Sequence, residues 1–165
     1  MFLRTERLLF RPFAAGDLEP LFRIVADPEV VRYTDDGTPL AWATTRLWIE
    51  RSRENVARHG YGTGAVIELA TGRLIGWAGF ARPEGAPEEM IYGFERPVWS
   101  KGYGSEIAAG LVRFAFKDLG LSSLRATVHP DNAASRHILR KLGFAEVAVT
   151  PDVVELTLKK VPTAG

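Results

Sequence analysis

Trp99-Ser100-Lys101-Gly102-Tyr103-Gly104-Ser105-Glu106 holds the residue types best spaced for chemistry in this 165-residue chain. The glycines allow a tight turn with no Cβ in the way. The residues after Gly104 read as the start of a helix, whose first amide N–H groups have no internal acceptor. The helix macrodipole adds partial positive charge at the same end. A strand, a glycine-bearing turn and an open helix N-terminus together fit a phosphate-bearing ligand. Two common nucleotide-binding devices do not match it. A dinucleotide fold places its glycine fingerprint after a first strand near the chain start, with a third glycine and an acid ~20 residues on. Here the glycines come after four strand-like runs, and Gly102-Tyr103-Gly104 lacks the third one. A P-loop ends in Gly-Lys-Ser/Thr, where this chain has Gly104-Ser105-Glu106.

Other chemistries are bounded by what the chain lacks. It has no cysteine, which removes disulfides, thiolate metal sites and any acyl group carried on an enzyme thiol. His59, His129 and His137 are scattered without a metal-ligand spacing, so no metal is expected. Twenty-one Lys and Arg against 20 Asp and Glu give a net charge of +1, without the broad basic field of a nucleic-acid binder. The start Met1-Phe2-Leu3-Arg4-Thr5-Glu6-Arg7 is not a signal peptide. No apolar run approaches the ~20 residues of a membrane span. These features predict a cytoplasmic protein with neither nucleic-acid nor membrane partners.

The elements that must position the turn can be read from periodicity. Leu8 to Pro12 reads as a strand, and Asp17 as the N-cap of a helix burying Leu18, Leu21, Phe22 and Val25. Asp27 to Pro39 reads as a loop around a short helical turn. Leu40 to Arg58 reads as a helix using Trp42, Leu47, Trp48 and Val56 as apolar surface. From Tyr61 the period changes to a hairpin, Gly64 to Leu69 and Leu74 to Phe80, around Thr71-Gly72. After a Pro/Gly/Glu loop through Pro87, Glu89 to Phe94 is the strand that leads into the turn. The next helix carries Ile107, Leu111 and Ala115 on one stripe, widened by Ala108 and Val112. Leu124 to Val128 is a strand, and Asn132 caps a helix that Gly143 stops in the left-handed conformation. Val147 to Val149 and Val153 to Leu158 complete the sheet, and Pro162 onward reads as a frayed tail. The pattern is α+β in a single domain over residues 1–165.

Three stretches in order carry a resemblance. They are Leu3-Arg4-Thr5-Glu6-Arg7-Leu8-Leu9-Phe10-Arg11-Pro12, the Trp99–Glu106 turn, and Val128-His129-Pro130-Asp131-Asn132-Ala133-Ala134-Ser135 with the nearby Leu139-Arg140-Lys141-Leu142-Gly143-Phe144. Together they resemble the GNAT superfamily of N-acetyltransferases, most closely its RimJ/RimL-like branch, over nearly the whole chain. The resemblance implies a mixed, mostly antiparallel, splayed sheet of about seven strands with about four helices. It also implies direct transfer of an acetyl group from acetyl-CoA, as co-substrate, to a primary amine of a small molecule or protein N-terminus. The alternative is a catalytically silent acyl-CoA-binding module of the same fold, acting as sensor or partner. Homodimers are common in this family.

By that resemblance, the amides from Ser100 through Lys101, Gly102, Tyr103 and Gly104 to Ser105 hold the coenzyme A pyrophosphate. Lys101 is either a phosphate contact or a solvated loop charge, and the Tyr103 side chain reads as packing. The Glu89–Phe94 strand, with Tyr92, pairs with the pantetheine arm, and Asn132 both caps its helix and reaches that arm. Ser100 departs from a common glycine and brings a Cβ into the turn. Leu139 stands where many relatives carry a tyrosine acid, so Ser135 is left as the nearby donor to the departing thiolate. A neutral amine is needed: deprotonation at pH 7 costs about 1.4 kcal/mol for an α-amine and about 4.6 for a lysine. Glu89 aligns with an acid of the branch and is the candidate base, through water, sharing a face with Ile91 and Gly93 in a regular strand. His129 and His137 read as structural, and Trp42, Trp48 and the Tyr33–Pro39 loop fall where acceptor pockets vary.

Overall fold

The structure, a computed structural model, describes residues 1–34, 36–81 and 87–161. The expected tail and most of the Pro/Gly/Glu loop lie outside the described residues. Eight strands form one sheet: β1 (Leu3–Arg4), β2 (Leu8–Pro12), β3 (Thr63–Glu68), β4 (Leu74–Ala81), β5 (Glu89–Phe94), β6 (Ser123–Val128), β7 (Ala145–Val149) and β8 (Val154–Lys159). Their order is β1-β2-β3-β4-β5-β6-β8-β7. Five helices flank it: α1 (Leu18–Val25), α2 (Pro28–Val31), α3 (Trp42–His59), α4 (Tyr103–Arg113) and α5 (Ala133–Lys141). A π-helical turn, Phe114–Asp118, extends α4. This is the mixed, mostly antiparallel α+β sheet that the resemblance implies. The strand beyond the expected seven is β1, whose two residues are too short to show a period, and the fifth helix is the anticipated turn after Asp27.

Two apolar layers cover opposite faces of the sheet. On one, Ile107 and Leu111 of α4, Ala115 of the π-helical turn and Leu139 of α5 pack on Phe80, Met90, Leu124, Ala126 and Leu156. On the other, Leu21, Ile24 and Val25 of α1, Val31 of α2 and Ile49 of α3 pack on Ala65, Ile67, Leu74 and Trp77. Strand alternation explains the division, since successive side chains point to opposite faces. Along β5, Met90 and Tyr92 join the first layer and Ile91 the second.

Two expectations need correction. Asp17 stands at the expected N-cap position of α1, but its side chain makes no capping bond to that helix. Its carboxylate instead receives Arg11 Nη1 and Nη2 at 2.7 and 2.9 Å and the Ala14 amide at 2.7 Å. Burial opposes ionisation there, yet these bonds hold the carboxyl below its ordinary range. On α3 the residues buried against the sheet are Thr45, Ile49 and Ser52. Trp42 and Leu47 are 46% and 43% exposed: Leu47 turns to the opposite side of the helix, and Trp42, the first helical residue, meets Phe22 edge-on at 5.2 Å.

Candidate functional site

Among the described residues seven strand pairs form this sheet, and of these only β5 and β6 run parallel. Their ladder holds at one place, Glu89 opposite Arg125, with the Arg125 amide on the Glu88 carbonyl at 3.0 Å. Beyond it the strands are not paired, which opens the sheet into a cleft. A cavity of about 670 Å³ occupies it. The cavity brings together four of the expected site residues, Glu89, Tyr92, Asn132 and Ser135.

The turn from Trp99 follows β5, and its residues Ser100, Lys101, Gly102, Tyr103, Gly104 and Ser105 are not among those lining the cavity. Trp99 anchors it by donating Nε1–H to the Phe94 carbonyl at 2.8 Å. Ser100 adopts φ +68 and Gly102 φ +81. The left-handed region costs a non-glycine residue of the order of 1 kcal/mol, so the Cβ expected to be accommodated at Ser100 is held there under strain. No side chain caps α4. Its first intrahelical bond is Glu106 N–H to the Gly102 carbonyl at 3.1 Å. The amides of Tyr103, Gly104 and Ser105 lie ahead of that bond, without an intrahelical acceptor. Gly104 faces α5 and the ring of Tyr92, which does line the cavity: a Cβ there would stand 3.2 Å from Ile138 Cδ1 and 3.7 Å from Tyr92 Cε2.

A brace holds this helix start, and sequence reasoning missed it. Glu106 accepts from the Thr5 hydroxyl, from the Arg7 amide at 2.9 Å and from Arg7 Nε at 2.7 Å. Arg7 Nη1 also donates to the Lys101 carbonyl at 2.8 Å, and its guanidinium lies 4.5 Å from the centre of the Tyr103 ring. Burial pushes the Glu106 carboxyl up, but the Thr5 and Arg7 bonds outweigh it and leave the group below its ordinary value. Tyr103 is buried and donates its hydroxyl to Glu68 at 2.7 Å, as the packing role requires. Both ends of the brace sit in motifs recognisable from sequence, but nothing in a 99-residue separation signals their contact.

At the cleft, Asn132 Oδ1 accepts the Ser135 amide at 3.2 Å, so the expected cap is present. Ser135 Oγ lies 3.0 Å from the Tyr92 hydroxyl. Burial raises the Tyr92 pKa, with the Ser135 bond acting against it. The sequence suggests only a strand role for Tyr92; its phenol is an acidic hydroxyl in the region where Leu139 offers none. Glu89 points the other way along β5. It accepts from the Thr127 hydroxyl, and its Oε2 is 3.8 Å from Arg125 Nη1. His129 lines the cavity with Nδ1 accepting the Asp131 amide at 3.1 Å, while His59 and His137 are exposed. Among the described residues, no group of three or more His, Asp or Glu is placed to hold a metal. No described helix is long and apolar enough to cross a membrane.

Comparison with known proteins gives a concordant result. Residues 7–145 match the family model of the acetyltransferase (GNAT) domain. An uncharacterized N-acetyltransferase, p20 of Bacillus licheniformis, is 29% identical over 152 residues, covering 91% of this chain and 85% of that protein. The crystal structure of a GNAT-family acetyltransferase from Bacillus anthracis superposes with a TM-score of 0.82 at 25% identity, over 96% of this chain and 98% of that one. Mycobacterium smegmatis RimJ, solved in complex with CoA-disulfide, shares the fold with a TM-score of 0.77 at 19% identity, over 92% and 81% of the two chains.

Proposed function

The chain belongs to the GNAT acetyltransferase family, and we propose that it transfers the acetyl group of acetyl-CoA directly to a primary amine within a ternary complex. One arrangement carries the proposal. The uncapped start of α4 adjoins, through Gly104 and the Tyr92 ring, the same cleft that Glu89 and Ser135 line. The residues fit a coenzyme A donor: the amides of Ser100 to Ser105 offer a phosphate site, and space at Gly104 would be lost to any side chain. Asn132 retains its side-chain amide for the pantetheine arm while its oxygen caps α5. The Thr5-Glu6-Arg7-Leu8 start and Trp99 favour the RimJ/RimL-like branch.

When bound, acetyl-CoA supplies an acyl group already activated as a thioester. The chain supplies two proton-handling groups on opposite faces of β5. Glu89 faces the α1–α3 side, where it takes a proton from the amine through water. Tyr92, backed by Ser135, faces the α4–α5 side, where it returns a proton to the departing sulfur. Its raised pKa keeps the phenol protonated through neutral pH. The rate is therefore expected to rise with pH until the acceptor amine itself is deprotonated. A chain without cysteine favours direct attack over an acyl-thiol relay. Initial rates measured against both substrates test this. Intersecting double-reciprocal lines are expected, and parallel lines would overturn the ternary complex.

A further inference from the structure

Resting on the N-acetyltransfer reading above, we infer that the acceptor is a primary amine carried on an apolar and otherwise uncharged body. On the α1–α3 side the cavity is walled by Val25, Val31, Leu40, Trp48, Trp77 and Ile91, drawn from helices, a loop and two strands. This wall is pre-formed. Trp48 donates Nε1–H to the Thr63 hydroxyl at 3.2 Å and packs edge-on against Phe13 and Trp77, at 5.6 and 5.8 Å. Trp77 lies so close over Gly93 that a Cβ there would fall 2.2 Å from its ring. Val25, Val31 and Trp77 are buried, so the apolar surface an occupant covers is that of the half-buried Leu40, Trp48 and Ile91, held in place without reordering.

The charges near the wall point the same way. Among the described lining residues the carboxylates are Glu89 and Asp152, and there is no Lys or Arg. A free amino acid would bring a carboxylate, and the cations beside the lining are already turned elsewhere, Arg125 to Glu155 and Glu89 and Arg32 over the Tyr33 ring. A polyamine would bring a second ammonium. Glu89 is already engaged by the Thr127 hydroxyl and approached by Arg125, and Asp152 is exposed at the rim. An unpaired charge carried into such a pocket loses its hydration without compensation. The apolar amine can come from a small molecule or from a peptide whose first residue is apolar, since both present the same chemistry.

Matched pairs of amines test the inference on the intact enzyme, with release of free thiol and tryptophan emission as two independent readouts. For n-alkylamines from butyl to heptyl the amine pKa is nearly constant, and kcat/KM is expected to rise about fourfold per methylene. Pentylamine is expected to exceed cadaverine, and phenethylamine to exceed free phenylalanine, by about a hundredfold. A peptide amide beginning with Phe separates the two sources: turnover approaching that of phenethylamine assigns the site to peptide N-termini as well, and its absence to small amines. A flat chain-length series, or cadaverine equal to pentylamine, would overturn the inference while leaving acetyl transfer standing. If no amine releases thiol but emission still tracks chain length, the transfer reading falls and the apolar pocket stands. If neither responds, both fall. Leu40→Asp, outside the proton-handling groups, is expected to move the pentylamine-to-cadaverine ratio at least tenfold toward the diamine.

Discussion

The two faces of β5 are built on different principles. On the α4–α5 face, the proposed binding groups are backbone amides of a single turn, then Tyr92, Ser135 and Asn132. On the α1–α3 face, they are side chains gathered from α1, α2, α3, β4 and β5 around Glu89. Backbone amides are the same whatever the neighbouring sequence, so the first face suits a ligand that never changes. Side-chain walls change with every substitution, so the second face, the proposed acceptor side, is the one whose selectivity single substitutions can alter. The parallel β5–β6 pair, held at Glu89 and Arg125 alone, lets one cleft reach both faces.

The largest expected effect breaks the first face and spares the second. Gly104→Val places a branched side chain against Ile138 and Tyr92. Losing even one hydrogen bond to a charged phosphate costs ~1.5–3 kcal/mol, so CoA affinity by calorimetry should fall about a hundredfold. Alkylamine-induced tryptophan emission changes should persist. An equal loss of both would erase the distinction between the faces.

Next in size is Tyr92→Phe, which keeps the packing and removes the hydroxyl bonded to Ser135. Removing a proton donor of this kind lowers rates by ~10²-fold. The fall should appear in kcat, with both KM values within about threefold of the parent. An unchanged kcat would return the donor role to Ser135 alone.

A smaller effect belongs to the brace behind the turn. The Glu106 carboxyl is held below its ordinary value of 4.5: burial opposes this, and the Thr5 and Arg7 bonds outweigh it. Its contribution to stability is complete above pH 4.5 and is lost as pH falls through the lowered folded-state value. Glu106→Gln should cost about 1 kcal/mol at neutral pH and flatten the acid limb of a stability–pH profile from denaturant melts. The smallest effect is Leu47→Ser on the exposed side of α3, expected within about 0.5 kcal/mol of the parent in the same melts.

These sizes also mark what the amino-acid order made legible. The glycine turn, the bounds of β5, the Asn132 cap and the left-handed Gly143 were readable because each depends on residues within a few positions. Asp17 misled because a good capping residue also suits a guanidinium, and Arg11 lies across a turn rather than along a helix. Tyr92 meets Ser135 across 43 residues, and Arg7 meets Glu106 across 99. Periodicity carries no information on such pairings. The acceptor wall is the extreme case, since its six residues share no local pattern and are neighbours only after the sheet has formed.

Titrating CoA into ¹⁵N-labelled protein and tracking the backbone amides tests the central claim most directly. The amides of Gly102, Gly104 and Ser105 are expected to shift most and saturate together, while those of Leu40 and Trp48 move little. Shifts centred on the α1–α3 wall, with the Ser100–Ser105 amides unmoved, would contradict it.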